Sequence, residues 1–263
     1  MNPPSNGTHR QLTELIDFIF LERVLTSSYT GSAALNSRAL ILFAKNPRPG
    51  AVKTRLSPPL TLEEAAGLYR CMIHDSVETA RSLSGVTPYI FFQDDPGAAD
   101  YFAALAPEIH SAPQTGADLG LRMKNAFAEL FSRGFTSVAI IGTDSPDLPP
   151  ERIRETFALL ENEHTDLVFG PAEDGGYYLL ALKRVWGELF SGLPWSSSGL
   201  LAASIERAKG LHLGVSLLPV WYDIDTAADL KRPGLLHENN PAVRTRAFLI
   251  SGHEPDSRHS SDR

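Results

Sequence analysis

The run Val138-Ala139-Ile140-Ile141-Gly142 constrains the fold more than any other stretch of the chain. It is apolar and rich in β-branched residues, with no polar alternation. That is the pattern of a strand buried on both faces. The run stops at Thr143-Asp144-Ser145-Pro146-Asp147, residue types that favour turns. Two carboxylates, Asp144 and Asp147, are thereby set just past the carboxyl end of a central strand. In open α/β sheets that edge is where ligands bind. Carboxylates there can hold a hard divalent cation, which in turn can hold phosphate. Asp147 has a simpler reading as the cap of a helix beginning near Pro149. We read Asp144 as the metal-binding residue of the two.

Similar buried-type runs recur at 39–44, 89–92, 166–171 and 178–182. Helical spacing or helix-start chemistry marks 61–82, 98–105, 119–133 and 149–162. Thr61 with Glu63 and Glu64 is good chemistry for a helix start. Leu119, Met123, Phe127 and Leu130 fall near one face and are expected in the core. Strands alternating with helices predict a mostly parallel sheet covered on both faces. Asp174-Gly175-Gly176 reads as a hairpin turn, and 213–218 as a late strand, so the sheet is mixed at one side. Ser196-Ser197-Ser198 is expected to cap a further helix running to Lys209.

The loop after the first strand carries Lys45, Arg48, Lys53 and Arg55 with no acid among them. The whole chain has a net charge of −7, so a purely basic loop stands out. A basic loop after a first strand is well placed to neutralise a diphosphate. Neither G-x-x-x-x-G-K-[ST] nor G-x-G-x-x-G occurs there. The acidic balance argues against a general nucleic-acid binder. One cysteine, Cys71, excludes an internal disulfide and a cysteine metal site. No apolar run reaches the ~20 residues needed to span a bilayer, and the amino end is a poor signal peptide. A cytoplasmic protein is expected.

Two further loops have several readings. Gly116 and Gly120 would allow a ligand close to the backbone of 114–120. Asp174 is equally a turn former or a sugar-hydroxyl acceptor. Near the end, alternation puts Asp223 and Asp225 on one side, while Asp225 or Thr226 would cap a short helix. Residues 1–37 form an extension, with helical spacing at 11–25 and a Ser/Gly/Ala linker after it. That extension either packs on the domain or mediates a homodimer. The domain proper spans 38–235. Residues 236–263 form a tail in which only 247–250 look ordered.

With these pieces in place the chain resembles a known group. Phe43 to Leu56, Gln114 to Met123, Gly142 to Pro149, Asp174 to Leu182 and Tyr222 to Leu230 resemble, in the same order, bacterial glycosyltransferases of the GT-A (nucleotide-diphospho-sugar transferase) superfamily. These are the ones associated with radical-SAM and arsenosugar gene clusters. Lys53-Thr54-Arg55-Leu56, Asp144-Ser145-Pro146, Asp174-Gly175-Gly176 and Asp223-Ile224-Asp225-Thr226 are also similar to 2-phospholactate guanylyltransferase. They are more distantly similar to molybdenum-cofactor guanylyltransferase. The chain departs from the usual Asp-x-Asp of glycosyltransferases and lacks the Gly-rich first loop of nucleotidyltransferases.

The resemblance implies a single GT-A, Rossmann-like α/β domain. It implies Asp144 and Asp225 as ligands of Mg²⁺ or Mn²⁺, with Lys53, Arg55 and Lys45 sharing the phosphate charge. Gln114 and Gly116 would meet the base or ribose, Gly175 and Gly176 would shape the nucleotide site, and Asp174 would orient or deprotonate the acceptor. The leading expectation is transfer of a sugar from a nucleoside diphosphate sugar to a small-molecule acceptor. The alternative is nucleotidyl transfer from an NTP with release of pyrophosphate. A third is nucleotide binding without turnover.

Overall fold

The computed structural model describes residues 37–251. The readings made above for residues 1–36 and for those beyond 251 lie outside the described residues. Seven strands are described: β1 (Arg38–Ala44), β2 (Val86–Phe92), β3 (His110–Pro113), β4 (Ser137–Gly142), β5 (Leu167–Pro171), β6 (Tyr177–Leu182) and β7 (Val215–Leu217). They form one sheet in the order β3-β2-β1-β4-β6-β5-β7. β6 pairs antiparallel with β4 and β5, and the other pairings are parallel. The protein is thus an α/β domain with a mixed, mostly parallel sheet, as expected.

Period-two alternation sends neighbouring side chains to opposite faces. Leu40, Leu42, Ala139 and Ile141 join a core with α1 (Leu62–Arg81), α2 (Ala98–Leu105) and α4 (Pro150–Glu161). Ala39, Ile41, Val138 and Ile140 join a second core with α3 (Leu119–Ser132) and α5 (Leu200–Gly210). Residues 138–141 are all buried. At ~1.5–3 kcal/mol for each large aliphatic side chain, β4 is pinned in the middle of the sheet. β1 is followed by β2 on one side and flanked by β4 on the other. The crossovers therefore diverge at β1, and a crevice opens between the carboxyl ends of β1 and β4.

Several local expectations change. β3, His110-Ser111-Ala112-Pro113, has no β-branched residue, and its strand character comes from register with β2, Tyr89 opposite His110. Leu119 is 40% exposed, whereas Met123, Phe127 and Leu130 are buried. Leu119 is the first residue of α3, capped by Asp118, which accepts from Leu121 N at 2.8 Å. α4 is capped at Pro149 with no side-chain bond, so Asp147 is not its cap. α5 begins after Gly199 without a side-chain cap; the hydroxyl of Ser197 instead donates to the carbonyl of Pro194. Thr61 and Glu64 do form a reciprocal capping box on α1.

The segment read as a tail continues the fold. α6 (Pro233–Leu236) runs up to its start, and the tail holds α7 (Val243–Ser251), which includes the 247–250 expected to be ordered. Asp75 of α1 accepts from the backbone N–H groups of Arg244 and Thr245 at 3.0 and 2.8 Å. It thereby satisfies donors in the first turn of α7 that the helix itself leaves open. Phe248 joins the core beside α1. No helix among the described residues is long and apolar enough to cross a membrane.

Candidate active site

The crevice between β1 and β4 is a cleft of about 260 Å³ lined by Lys45, Ala51, Val52, Lys53, Thr54, Arg55, Tyr69, Asp144 and Asp225. The loop after β1 supplies its cations, the turn after β4 supplies Asp144, and the segment after β7 supplies Asp225. Lys53 has a left-handed backbone, φ 49° and ψ 32°, and precedes the 3₁₀ turn Thr54–Leu56. That turn aims its side chain inward. The Lys53 ammonium forms an ion pair with Asp144. It also donates to Oδ1 of Asp225 and to the carbonyl of Ile224, each at 2.7 Å. The Lys53 side chain is 4% exposed, whereas those of Asp144 and Asp225 are each 46% exposed. The floor of the cleft is therefore an ammonium beneath two half-open carboxylates.

The two acidic segments are tied along their length. Ile224 N donates to Asp144 O at 2.9 Å. The Ser145 hydroxyl donates to Asp223 at 2.6 Å. Asp147 accepts from Trp221 Nε1 and Asn240 Nδ2, both at 3.3 Å, and from the Tyr222 hydroxyl. Asp147 is 3% exposed, so these donors replace the water it gave up. Residues 144, 145 and 147 thus meet 224, 223 and then 222 and 221, a run of ties in opposite chain directions. Behind Lys53, the Tyr69 ring lies 5.7 Å from the ammonium. Its hydroxyl pairs with Thr143 at 2.7 Å and accepts from Lys45 N at 3.1 Å.

Charge and burial compete here. Burial pulls the Lys53 ammonium down, but Asp144 and Asp225 outweigh it and hold its pKa above the ordinary value. Burial pushes Asp144 up, yet the adjacent Lys53 and the more distant Lys45 hold it below the usual carboxylate range. Asp223 is pushed up to about 6, by burial first and then by Asp144 and Asp225, against the Ser145 hydrogen bond.

The expected site residues separate into two groups. Lys45, Lys53, Arg55, Asp144 and Asp225 come together in the cleft. The other five, Gln114, Gly116, Asp174, Gly175 and Gly176, do not line it. Gln114 turns its amide back onto the sheet, donating to Phe91 O at 2.9 Å. Gly116, at φ 142°, is required by its own loop, because a Cβ there would strike Arg122 N. Gly175, at φ 88°, faces the Ser198 carbonyl so closely that a Cβ would overlap it. Asp174 accepts from Gly176 N at 2.8 Å, which is the turn role. Lys53, read from the sequence as free for phosphate, is paired with acids. Sequence reasoning missed Tyr69, Thr143 and the ties to Asp147. Only the closeness of Asp144 to Asp147 in sequence could have pointed to the last of these.

The donor set suits a divalent cation. Asp144 and Asp225 already converge on one cationic atom, and Mg²⁺ is commonly held by one or two carboxylates with substrate phosphates completing its shell. Among the described residues no group of three His, Cys, Asp or Glu side chains gathers as a complete metal cage.

Residues 76–197 match the family described as "Uncharacterized protein conserved in bacteria (DUF2064)", a span that includes Asp144 but neither Lys53 nor Asp225. The phosphoenolpyruvate guanylyltransferase of Nocardia farcinica (strain IFM 10152) is 26% identical over 213 residues, 78% of this chain and 91% of that protein. A crystal structure of a provisionally named nucleotide-diphospho-sugar transferase from Desulfovibrio desulfuricans G20 is 32% identical, with a TM-score of 0.73, covering 82% of this chain and 97% of that one. A cytidylyltransferase from Leptospira borgpetersenii serovar Hardjo-bovis (strain JB197) has a TM-score of 0.54 at 10% identity, covering 86% and 99%. At that identity the likeness is one of fold alone.

Proposed function

We propose that this chain, which belongs to the nucleotide-diphospho-sugar transferase family of its Desulfovibrio relative, is a metal-dependent nucleotidyltransferase. The observation that carries the reading is the convergence of Asp144 and Asp225 on one cationic point at the β1/β4 crevice, with Lys45 and Arg55 beside it. That arrangement serves either transfer chemistry. Nucleotidyl transfer is favoured over the expected glycosyl transfer because the curated relative is named a guanylyltransferase.

A divalent cation bound by Asp144 and Asp225 would supply charge neutralisation to the polyphosphate. Lys45 and Arg55 take up the remaining phosphate charge from the wall of the cleft. An oxygen of the acceptor attacks the α-phosphorus and forms the new O–P bond. The bond from that phosphorus to the bridging oxygen breaks, and pyrophosphate leaves with the electron pair. The cleft lies just under the ~300 Å³ at which small-molecule pockets begin. It therefore suits the phosphates more than a whole nucleotide. Because Asp174 does not line the cleft, the reading gives it no proton to move. The relative's name suggests a small phosphorylated acid as the acceptor class.

The test is product analysis. Purified protein with Mg²⁺ or Mn²⁺, each NTP in turn and phosphoenolpyruvate is expected to release pyrophosphate with one NTP. Release of a nucleoside diphosphate from a sugar nucleotide, without pyrophosphate from any NTP, would restore glycosyl transfer.

A further inference from the structure

We propose that Lys53 is a resident counter-cation that competes with the divalent ion for the Asp144–Asp225 pair, so that the metal enters only weakly until phosphate draws Lys53 away. This rests on the metal-binding reading of the preceding section and deepens it.

The case is geometric. Lys53 Nζ sits 2.7 Å from Oδ1 of Asp225 and pairs with Oδ1 of Asp144. Those are the atoms that a cation held by both carboxylates would use. Mg²⁺–oxygen distances are ~2.0–2.1 Å. An ion at that range from both oxygens, on the side that Lys53 occupies, would lie almost on the ammonium, and two cations so close repel. Lys53 and the ion therefore compete for those atoms.

Removing the ammonium alone is unfavourable as well. It would leave two carboxylates facing one another, with Asp223 held nearby through Ser145. Each like charge disfavours the others. Lys53 thus stabilises the cradle in the form the metal needs, and blocks it.

Displacement is feasible because Lys is a point charge on a flexible four-carbon stem. The backbone of Lys53 can stay in its left-handed turn while the ammonium swings. On leaving, it loses Asp144, Asp225 and the Ile224 carbonyl. Within the cleft it needs another anion, and the other cleft cations, Lys45 and Arg55, mark where phosphate would lie. A polyphosphate thus gives Lys53 a destination and the metal a vacated pair of ligands. The consequence is positive coupling between metal and phosphate, equal in both directions by linkage.

The experiment measures Mn²⁺ binding directly, by the electron paramagnetic resonance of free Mn²⁺, with no nucleotide present. Lys53→Gln is expected to bind Mn²⁺ at least tenfold more tightly than the wild type. Lys53→Arg, which keeps the charge, is expected to stay within threefold of it. Equal Mn²⁺ affinity in wild type and Lys53→Gln, or weaker binding by the variant, overturns the competition and leaves the metal reading standing. No Mn²⁺ bound by any of the three overturns the metal reading and the competition with it.

A second measurement needs no variant. In the wild type, acylation of the Lys53 amine by a small reagent, read by mass spectrometry, is expected to be slow without metal. It should rise severalfold at Mn²⁺ concentrations that occupy the site. Labelling that does not change on metal binding overturns the displacement.

Discussion

Asp75 and Asp144 each pair with residues distant in sequence, and the two pairings work differently. Asp75 is 3% exposed and accepts two backbone N–H groups at the start of α7. Asp144 is half exposed and faces an ammonium on a flexible stem. Backbone donors inside a helix have nowhere to go, so the first region is a fixed tie. The second is a pair of charges at the mouth of a cleft, where one cation can be exchanged for another. Asp147 sides with Asp75: it is equally buried, and its donors are uncharged. What separates the two kinds of aspartate is an open side and a mobile partner, more than the charge they carry.

The largest effect expected on this contrast is catalytic. Asp144→Ala should lower pyrophosphate release by ~10²–10³-fold, while its far-ultraviolet circular dichroism remains that of the wild type. Loss of one ligand for the catalytic ion is a loss of electrostatic stabilisation worth ~3–4 kcal/mol. Activity within tenfold of wild type would remove Asp144 from the site.

Asp75→Ala should act the other way. It leaves two buried N–H groups without their charged acceptor, at ~1.5–3 kcal/mol, read as a lower urea midpoint. Turnover of the protein that remains folded should be unchanged; a loss of turnover in the folded protein would break the separation of the two regions. Thr61→Ala sharpens the same point by removing a local cap from α1 in place of a tertiary one. About 1 kcal/mol is expected, less than for Asp75, because its freed donors can meet water.

The smallest effect is on the pH dependence of stability. His74, beside Asp75, has a pKa below the ordinary value because of burial first and then Arg244. The folded form therefore binds a proton less readily than the unfolded chain. Stability from this group is complete above the unfolded pKa of ~6.5 and declines as pH falls from there towards the folded value. His74→Gln should flatten the Tm profile in that window and leave it unaltered at pH 8. An unchanged slope would show that His74 titrates alike in both states.

The sequence carried the fold where the code is local. β4 was legible because four consecutive residues had to be buried, and α1 because Thr61 and Glu64 lie three positions apart. β3 was not, since its strand character comes from pairing with β2. Only 247–250 of helix α7 was legible as ordered, because the docking of its first turn depends on Asp75, about 170 residues earlier. The same distance problem governed the site. Asp144 could be placed at a strand end by pattern, and Lys45 and Arg55 by their shared loop. Nothing near Lys53 in sequence announces its acids, because Asp225 lies 172 positions away. Asp147 was read as a cap because it stands just before a helix. Its donors, Trp221, Tyr222 and Asn240, become neighbours only once the sheet is built.

The ties between 144–147 and 221–224 also bear on the order in which the molecule is made. A ribosome adds residues from the amino end. When β6 has emerged, the strands β1, β2, β3, β4, β5 and β6 exist, and so do Asp144 and every cation of the cleft. Asp225 does not. Until it is added, only one of the two carboxylate partners of Lys53 is present in the chain, and the segment that braces Asp147 is incomplete. On the proposed reading, the carboxylate pair for a metal–nucleotide complex would be complete only once Asp225 has been added, after most of the sheet has been laid down.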